Sequence, residues 1–183
     1  MDSFERLVRV LLENDGYWTR QSHKVSLTKE EKRLIGKPSM PRPEIDVIGF
    51  NPCSNSILAM EVKSYLDSSG VPCSELKKLH DTPTGKYKIF TCPRYQAIVF
   101  GRLREDLIEK GLANAKTEVK LGLAAGKVMK NRQTELEEIG AEKGWLIWTP
   151  KTIARKSRQL AKLGYENDPF IILAKLFERN PDS

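Results

Sequence analysis

The stretch PEIDVIGFNPCSNSILAMEVKSY, residues 43–65, contains two apolar runs joined by the polar segment NPCSNS. Short apolar runs on either side of turn-forming residues predict a β-hairpin. Charged side chains interrupt both runs at positions where a core residue is expected. They are Asp46 in the first run and Glu61 and Lys63 in the second. Charged residues inside strands either face solvent or take part in chemistry.

The simplest hairpin register brings the two acids together. A turn centred between Cys53 and Ser54 places Asp46 opposite Glu61, and Lys63 shares the face of Glu61 because strand side chains alternate. Opposed side chains have Cβ atoms about 4.5–5.5 Å apart, and carboxylates this close repel each other unless a positive charge lies between them. A divalent ion such as Mg²⁺ would supply that charge and activate a water for phosphodiester hydrolysis. The alternative is a solvent-facing ladder with a cross-strand ion pair.

The remaining patterns predict a mixed α/β protein with a central sheet. Before the hairpin, we expect a helix between Asp2 and Gly16, a strand over 17–27 and a charged connection over 28–42. After it, we expect an inserted loop or small hairpin over 66–93, a helix from Pro93 to about Gly111 and a strand over 119–128. The C-terminal part should contain a helix capped by Thr134 and Glu137 that ends by Gly144, a strand over 145–149, and helices that start at Pro150 and Pro169. The three tryptophans, Trp18, Trp145 and Trp148, are expected in the core.

Length and composition indicate a single globular domain over residues 1–183, since 39% of the residues are hydrophobic and 30% are charged. No apolar run reaches the roughly 18 residues of a membrane span, and the N-terminus lacks the pattern of a signal peptide. These features predict a cytoplasmic protein without a membrane partner. The three cysteines predict free thiols, although Cys73, His80 and Cys92 form a minor alternative as zinc ligands.

The formal net charge of +7 and the pI of about 9.3 favour a polyanionic partner. Three groups of basic residues are candidates for binding nucleic acid, although each could also be a solvated surface. They are Lys86 and Lys88 in the inserted segment, Lys127 and Lys130 around the fourth strand, and Arg155, Lys156 and Arg158 on the helix that starts at Pro150.

Asp46, the hairpin and Glu61-Val62-Lys63 resemble the PD-(D/E)xK nuclease superfamily, which includes restriction endonucleases, resolvases and repair nucleases. The resemblance covers a core of about residues 1–128, with 66–93 as an inserted segment and 129–183 as a C-terminal helical elaboration. It implies a restriction endonuclease-like core, a central mixed β-sheet flanked by helices. It also implies a nuclease that hydrolyses phosphodiester bonds in DNA with Mg²⁺, or alternatively Mn²⁺, and that is commonly a homodimer. A non-catalytic DNA-binding or assembly module with this fold is the alternative.

By the same resemblance, Asp46 and Glu61 would bind the metal with the Val62 carbonyl as third ligand. Lys63 would orient or help activate the attacking water. Glu5 matches an acid beside the metal in many members, while its alternative role is to complete a capping box with Asp2. Gln96 and Phe100 are similar to a Q-x-x-x-Y element, with Phe in place of Tyr. The proline and the aspartate of the motif are not adjacent here, because Glu44 and Ile45 lie between Pro43 and Asp46. Glu44 would share the face of Asp46, as a further ligand or as a solvated acid.

Overall fold

The computed structural model describes residues 2–180, and its centre is a five-stranded mixed β-sheet. The strands are β1 (Trp18–Lys24), β2 (Glu44–Asn51), β3 (Ser56–Lys63), β4 (Glu118–Ala125) and β5 (Leu146–Trp148). They lie in the sheet in chain order, with β1, β2 and β3 antiparallel and β3, β4 and β5 parallel. The mixed α/β class predicted from the sequence is confirmed.

Eight α-helices accompany the sheet in the described part of the chain. They are α1 (Ser3–Asn14), α2 (Lys29–Leu34), α3 (Cys73–Leu76), α4 (Lys88–Thr91), α5 (Pro93–Glu109), α6 (Gln133–Lys143), α7 (Pro150–Gln159) and α8 (Pro169–Arg179). Helices α1, α7 and α8 share one apolar core with the sheet, which includes Val8, Met60, Ile153 and Ile171. The other core joins the opposite side of the sheet to α3, α4, α5 and α6, through residues such as Ile57, Phe90, Val99, Leu123 and Leu136.

The β2–β3 hairpin has the register predicted from its turn. Its ladder runs from Asn51 opposite Ser56 to Val47 opposite Met60. The turn is held by the Asn51 side chain, whose Oδ1 accepts hydrogen bonds from the backbone N–H groups of Cys53 and Ser54 at 3.0 and 3.1 Å. A local side-chain bond of this kind favours the turn over a continued strand.

Two predictions about the connecting segments need correction. The connection over 28–42 contains α2, whose capping box joins Thr28 and Glu31, a signal that is present in the sequence. The described segment 66–93 contains the short helices α3 and α4 and no hairpin. Its one bridge pairs Val71 with Val128, in parallel.

The predicted capping box of α6 is also wrong. The helix begins at Gln133, and the Glu137 carboxylate accepts a hydrogen bond from Thr149 Oγ1 at 3.1 Å instead of bonding within its own first turn. The helix does end at Gly144, which has a φ of +69°.

The three tryptophans differ in how deeply they are buried. Trp148 is buried and Trp145 is half-buried, as expected, but Trp18 on the edge strand β1 is 75% exposed. An edge strand leaves room for such exposure. Over the described residues, no helix is long and apolar enough to cross a membrane.

Candidate active site

Asp46 lies at the end of the β2–β3 ladder, one residue beyond the pair of Val47 and Met60. Its Oδ2 accepts a hydrogen bond from the Val62 backbone N–H at 2.7 Å. The carboxylate therefore takes the place of a backbone acceptor where the hairpin ladder ends. This bond fixes Asp46 beside the Glu61-Val62-Lys63 segment.

Lys63 supplies the positive charge that the two acids require. Its Nζ lies 2.6 Å from Glu61 Oε1 and 3.6 Å from Asp46 Oδ2. The side chains of Asp46, Glu61 and Lys63 are only 20%, 17% and 17% exposed. The three residues thus form an ion-paired cluster, but one that is largely buried rather than the solvent-facing ladder of the alternative interpretation.

Burial and neighbouring charges shift the pKa values in this cluster. Burial raises the pKa of Glu61 and the Asp46 carboxylate adds to the rise, while Lys63 opposes it. Burial alone would lower the pKa of Lys63, but the carboxylates of Glu61 and Asp46 outweigh it and leave that pKa above its usual value. Lys63 is therefore protonated at neutral pH, as its contacts with two acids require.

The oxygen donors of the cluster fit a divalent ion. Asp46 and Glu61 both contact one cation, the Lys63 ammonium, and carboxylate oxygens are the ligands that Mg²⁺ prefers. A metal would compete with Lys63 for these oxygens. The predicted role of the Val62 carbonyl stays a prediction, since the contact seen at Val62 involves its N–H.

Larger clusters of metal-binding side chains are not found. Between residues 2 and 180, no group of three or more His, Cys, Asp or Glu side chains is placed to hold a metal ion. Asp46 and Glu61 form a pair of carboxylates, which is smaller than such a group. The zinc alternative does need such a group, and Cys73 instead lies with its Sγ 3.7 Å from the Arg132 carbonyl.

Glu5 on α1 lies within electrostatic range of Asp46. Burial raises the pKa of Glu5, and the charges of Asp46, Asp2 and Glu44 raise it further. Asp2 caps α1 by accepting from the Phe4 backbone N–H at 2.7 Å, and not through a reciprocal bond with Glu5. The position of Glu5 is thus consistent with an acid beside the site.

A small cavity of about 50 Å³ adjoins Glu61, with room for a few water molecules. Helix α5 contributes Tyr95 and Val99 to its wall, whereas Gln96 is half-buried and is not among the lining residues. The predicted site role of Gln96 therefore gains no support. Tyr95 was missed by sequence reasoning, because the pattern of α5 does not reveal which of its faces meets the hairpin.

The predicted nucleic-acid-binding residues separate into two layers. Lys86 and Lys88 line the cavity of Glu61. Lys127 and Lys130 follow β4, whose last residue, Ala125, pairs with Lys63, so they lie at the same end of the sheet. Lys127 Nζ donates a hydrogen bond to the Leu66 carbonyl at 3.5 Å, so only Lys86 and Lys88 are shown beside Glu61.

Arg155, Lys156 and Arg158 lie on α7, in the layer on the other side of the sheet. Lys156 is engaged there, because its Nζ lies 2.5 Å from Asp15 Oδ2 and 4.7 Å from the centre of the Trp148 ring. The structure does not bring this group to the cavity.

Comparisons with protein-family models, curated proteins and solved structures found no match to this chain. The geometry of the site itself is therefore what indicates a function for this protein.

Proposed function

We propose that this protein is a metal-dependent DNA nuclease with a restriction endonuclease-like core, which hydrolyses phosphodiester bonds. The observation that carries this proposal is the largely buried cluster of Asp46, Glu61 and Lys63 beside a cavity whose lining includes Lys86 and Lys88. Paired carboxylates with a protonated amine are suited to a phosphate substrate, because they combine metal binding with stabilisation of negative charge.

Asp46 and Glu61 would hold Mg²⁺ or Mn²⁺, with the Val62 carbonyl as a third ligand. The metal, when bound, polarises the phosphate and lowers the pKa of a bound water. Lys63 keeps its proton at Nζ, where it can donate to the attacking water or to a phosphate oxygen. Glu5, with its raised pKa, would lie beside the acids as an additional polar group.

A non-catalytic DNA-binding module is the second candidate, and one observation favours it. The Lys63 ammonium already contacts both carboxylates, so each acid has a cationic partner without a metal. Such a cluster can persist for its structural contribution alone. The basic residues around it would then bind DNA without cutting it.

Cleavage of plasmid, single-stranded, linear duplex and branched DNA, with Mg²⁺, Mn²⁺ or EDTA, tests the proposal. We expect metal-dependent cutting by the wild type and its loss in Lys63→Ala, because this variant removes the amine at the site. Lys78→Ala is the control, since Lys78 forms an exposed pair with Glu75. Its cutting should match the wild type. DNA binding without cutting under either metal would contradict the nuclease and support the non-catalytic module.

A further inference from the structure

Lys86 and Lys88 place two ammonium groups in the wall of the cavity beside Glu61. Within the described residues, neither lysine has an ion pair within 4.0 Å. Each instead lies over an aromatic ring, with Lys86 Nζ and Lys88 Nζ both 5.7 Å from the ring centres of Tyr65 and Tyr95, respectively. These contacts hold the charges at the cavity without neutralising them.

Three other lysines of this region form ion pairs. Lys63 contacts two acids, Lys77 lies 2.7 Å from Glu135, and Lys78 lies 2.6 Å from Glu75. Lys88 differs because it is half-buried and forms no ion pair with any residue between 2 and 180. A cation that has lost part of its hydration gains more from an anionic ligand than a fully solvated cation does.

The two lysines also connect three neighbouring depressions of the surface. Lys88 is shared between the cavity of Glu61 and a depression bordered by Lys37 and Met40. Lys86 is shared between that cavity and a depression bordered by Tyr65 and Ser68. The outer depressions, of about 390 and 380 Å³, are much larger than the cavity of about 50 Å³ between them. A ligand that follows them passes Glu61 and is extended rather than compact.

We propose that Lys88 and Lys86 form a phosphate-binding subsite for a polynucleotide chain. Lys88 binds a backbone phosphate at the cavity of Glu61, and Lys86 binds a neighbouring phosphate outside it. This inference rests on the proposed nuclease function and adds to it two positioning residues from the inserted segment. Lysine suits this task because it binds phosphate as a point charge, with little demand on the orientation of the strand.

The test is the salt dependence of binding to fluorescent oligonucleotides, single-stranded and duplex, in EDTA so that no cleavage occurs. Each lost phosphate contact should reduce the slope of log K against log salt concentration by about 0.7–0.9. We expect this reduction in Lys88→Met and in Lys86→Met. Lys88→Arg should restore the wild-type slope, because it keeps the charge. Lys78→Met is the control, and its slope should equal that of the wild type.

The possible outcomes distinguish a failure of the proposed subsite from a failure of the proposed nuclease function. If Lys88→Met keeps the wild-type slope and affinity, the subsite is wrong even when the wild type cleaves DNA. If Lys88→Met only shifts the pH profile of cleavage, Lys88 acts as a distant counter-ion of Glu61, and the subsite is again wrong. If the slope falls as expected but the wild type cleaves nothing, the subsite stands and the nuclease function fails.

Discussion

At the scale of single residues, the Lys63 ammonium offsets the repulsion between the largely buried carboxylates of Asp46 and Glu61. Its ammonium lies 2.6 Å from Glu61 and 3.6 Å from Asp46, on a strand segment whose Val62 N–H also binds Asp46. Removing one partner of a buried pair leaves an uncompensated charge, which costs more than the pair contributes. The cluster is thus sensitive to the loss of the lysine and also to pH.

Lys63→Met should lower the free energy of unfolding by about 1–3 kcal/mol at pH 7, since the partial exposure of the cluster reduces the cost of a fully buried charge. The folded state raises the pKa of Glu61, so ionised Glu61 costs stability as pH rises above the ordinary value of 4.5. The variant should therefore recover part of its loss as pH falls toward 4.5. Urea denaturation at several pH values measures this.

Lys78→Met serves as the control, because its exposed pair should change stability by no more than about 0.5 kcal/mol. Equal stability of Lys63→Met and the wild type at pH 7 would contradict the interpretation that Lys63 compensates the acids.

At the scale of elements, the helix starts follow local signals. Thr149 and Asp168 each precede a proline, and each caps its helix, with the side chains accepting from the N–H groups of Thr152 and Phe170. Both helix starts were predicted, because the signals at Pro150 and Pro169 lie within a few residues of the first turn. The predicted cap at Thr134 failed because Glu137 is bound by Thr149, from another element.

Asp168→Ala should lower the free energy of unfolding by about 1 kcal/mol through loss of the α8 cap. Asp168 also forms an ion pair with Arg6 at 3.2 Å. Asp168→Asn keeps a capping oxygen and loses only the charge of this partly buried pair, so we expect it to cost less than Asp168→Ala, by about 0.5 kcal/mol. Chemical denaturation compares the two variants, and equal losses would show that the ion pair, rather than the cap, stabilises α8.

At the scale of the whole molecule, three elements meet behind the acidic cluster. The Gly126 N–H donates to the Lys63 carbonyl at 2.8 Å, which joins the ends of β3 and β4. A Cβ atom at Gly126 would overlap the Ser64 carbonyl oxygen and would lie 3.0 Å from Phe4 Cζ on α1. The absence of a side chain at Gly126 therefore lets the sheet and α1 close around the site.

Gly126→Ala should lower the free energy of unfolding by about 1–3 kcal/mol, because the backbone of Ser64 must move to admit the methyl group. Gly101→Ala is the matched control, since Gly101 lies inside α5 with open space around its Cβ position. It should raise the free energy of unfolding by about 0.5–1 kcal/mol, because alanine favours a helix. Thermal and urea unfolding measure both changes. A neutral Gly126→Ala would contradict the close packing at this position.

The sequence by itself determined the strands, the register of the β2–β3 hairpin, the starts of α1, α5, α7 and α8, and the grouping of Asp46, Glu61 and Lys63. These features depend on residues close in the chain, where alternation, turn chemistry and capping act locally. The homodimer and the individual metal ligands stay predictions.

Only the tertiary structure decided which distant residues surround the cluster. It placed Tyr95 instead of Gln96 at the cavity, brought Lys86 and Lys88 to Glu61, and put Arg155 and Lys156 in the opposite layer. It also left Trp18 exposed on an edge strand. Neither the rotation of a helix about its axis nor its choice of sheet face can be read from local spacing. Both are set by how apolar surfaces from remote parts of the chain fit together.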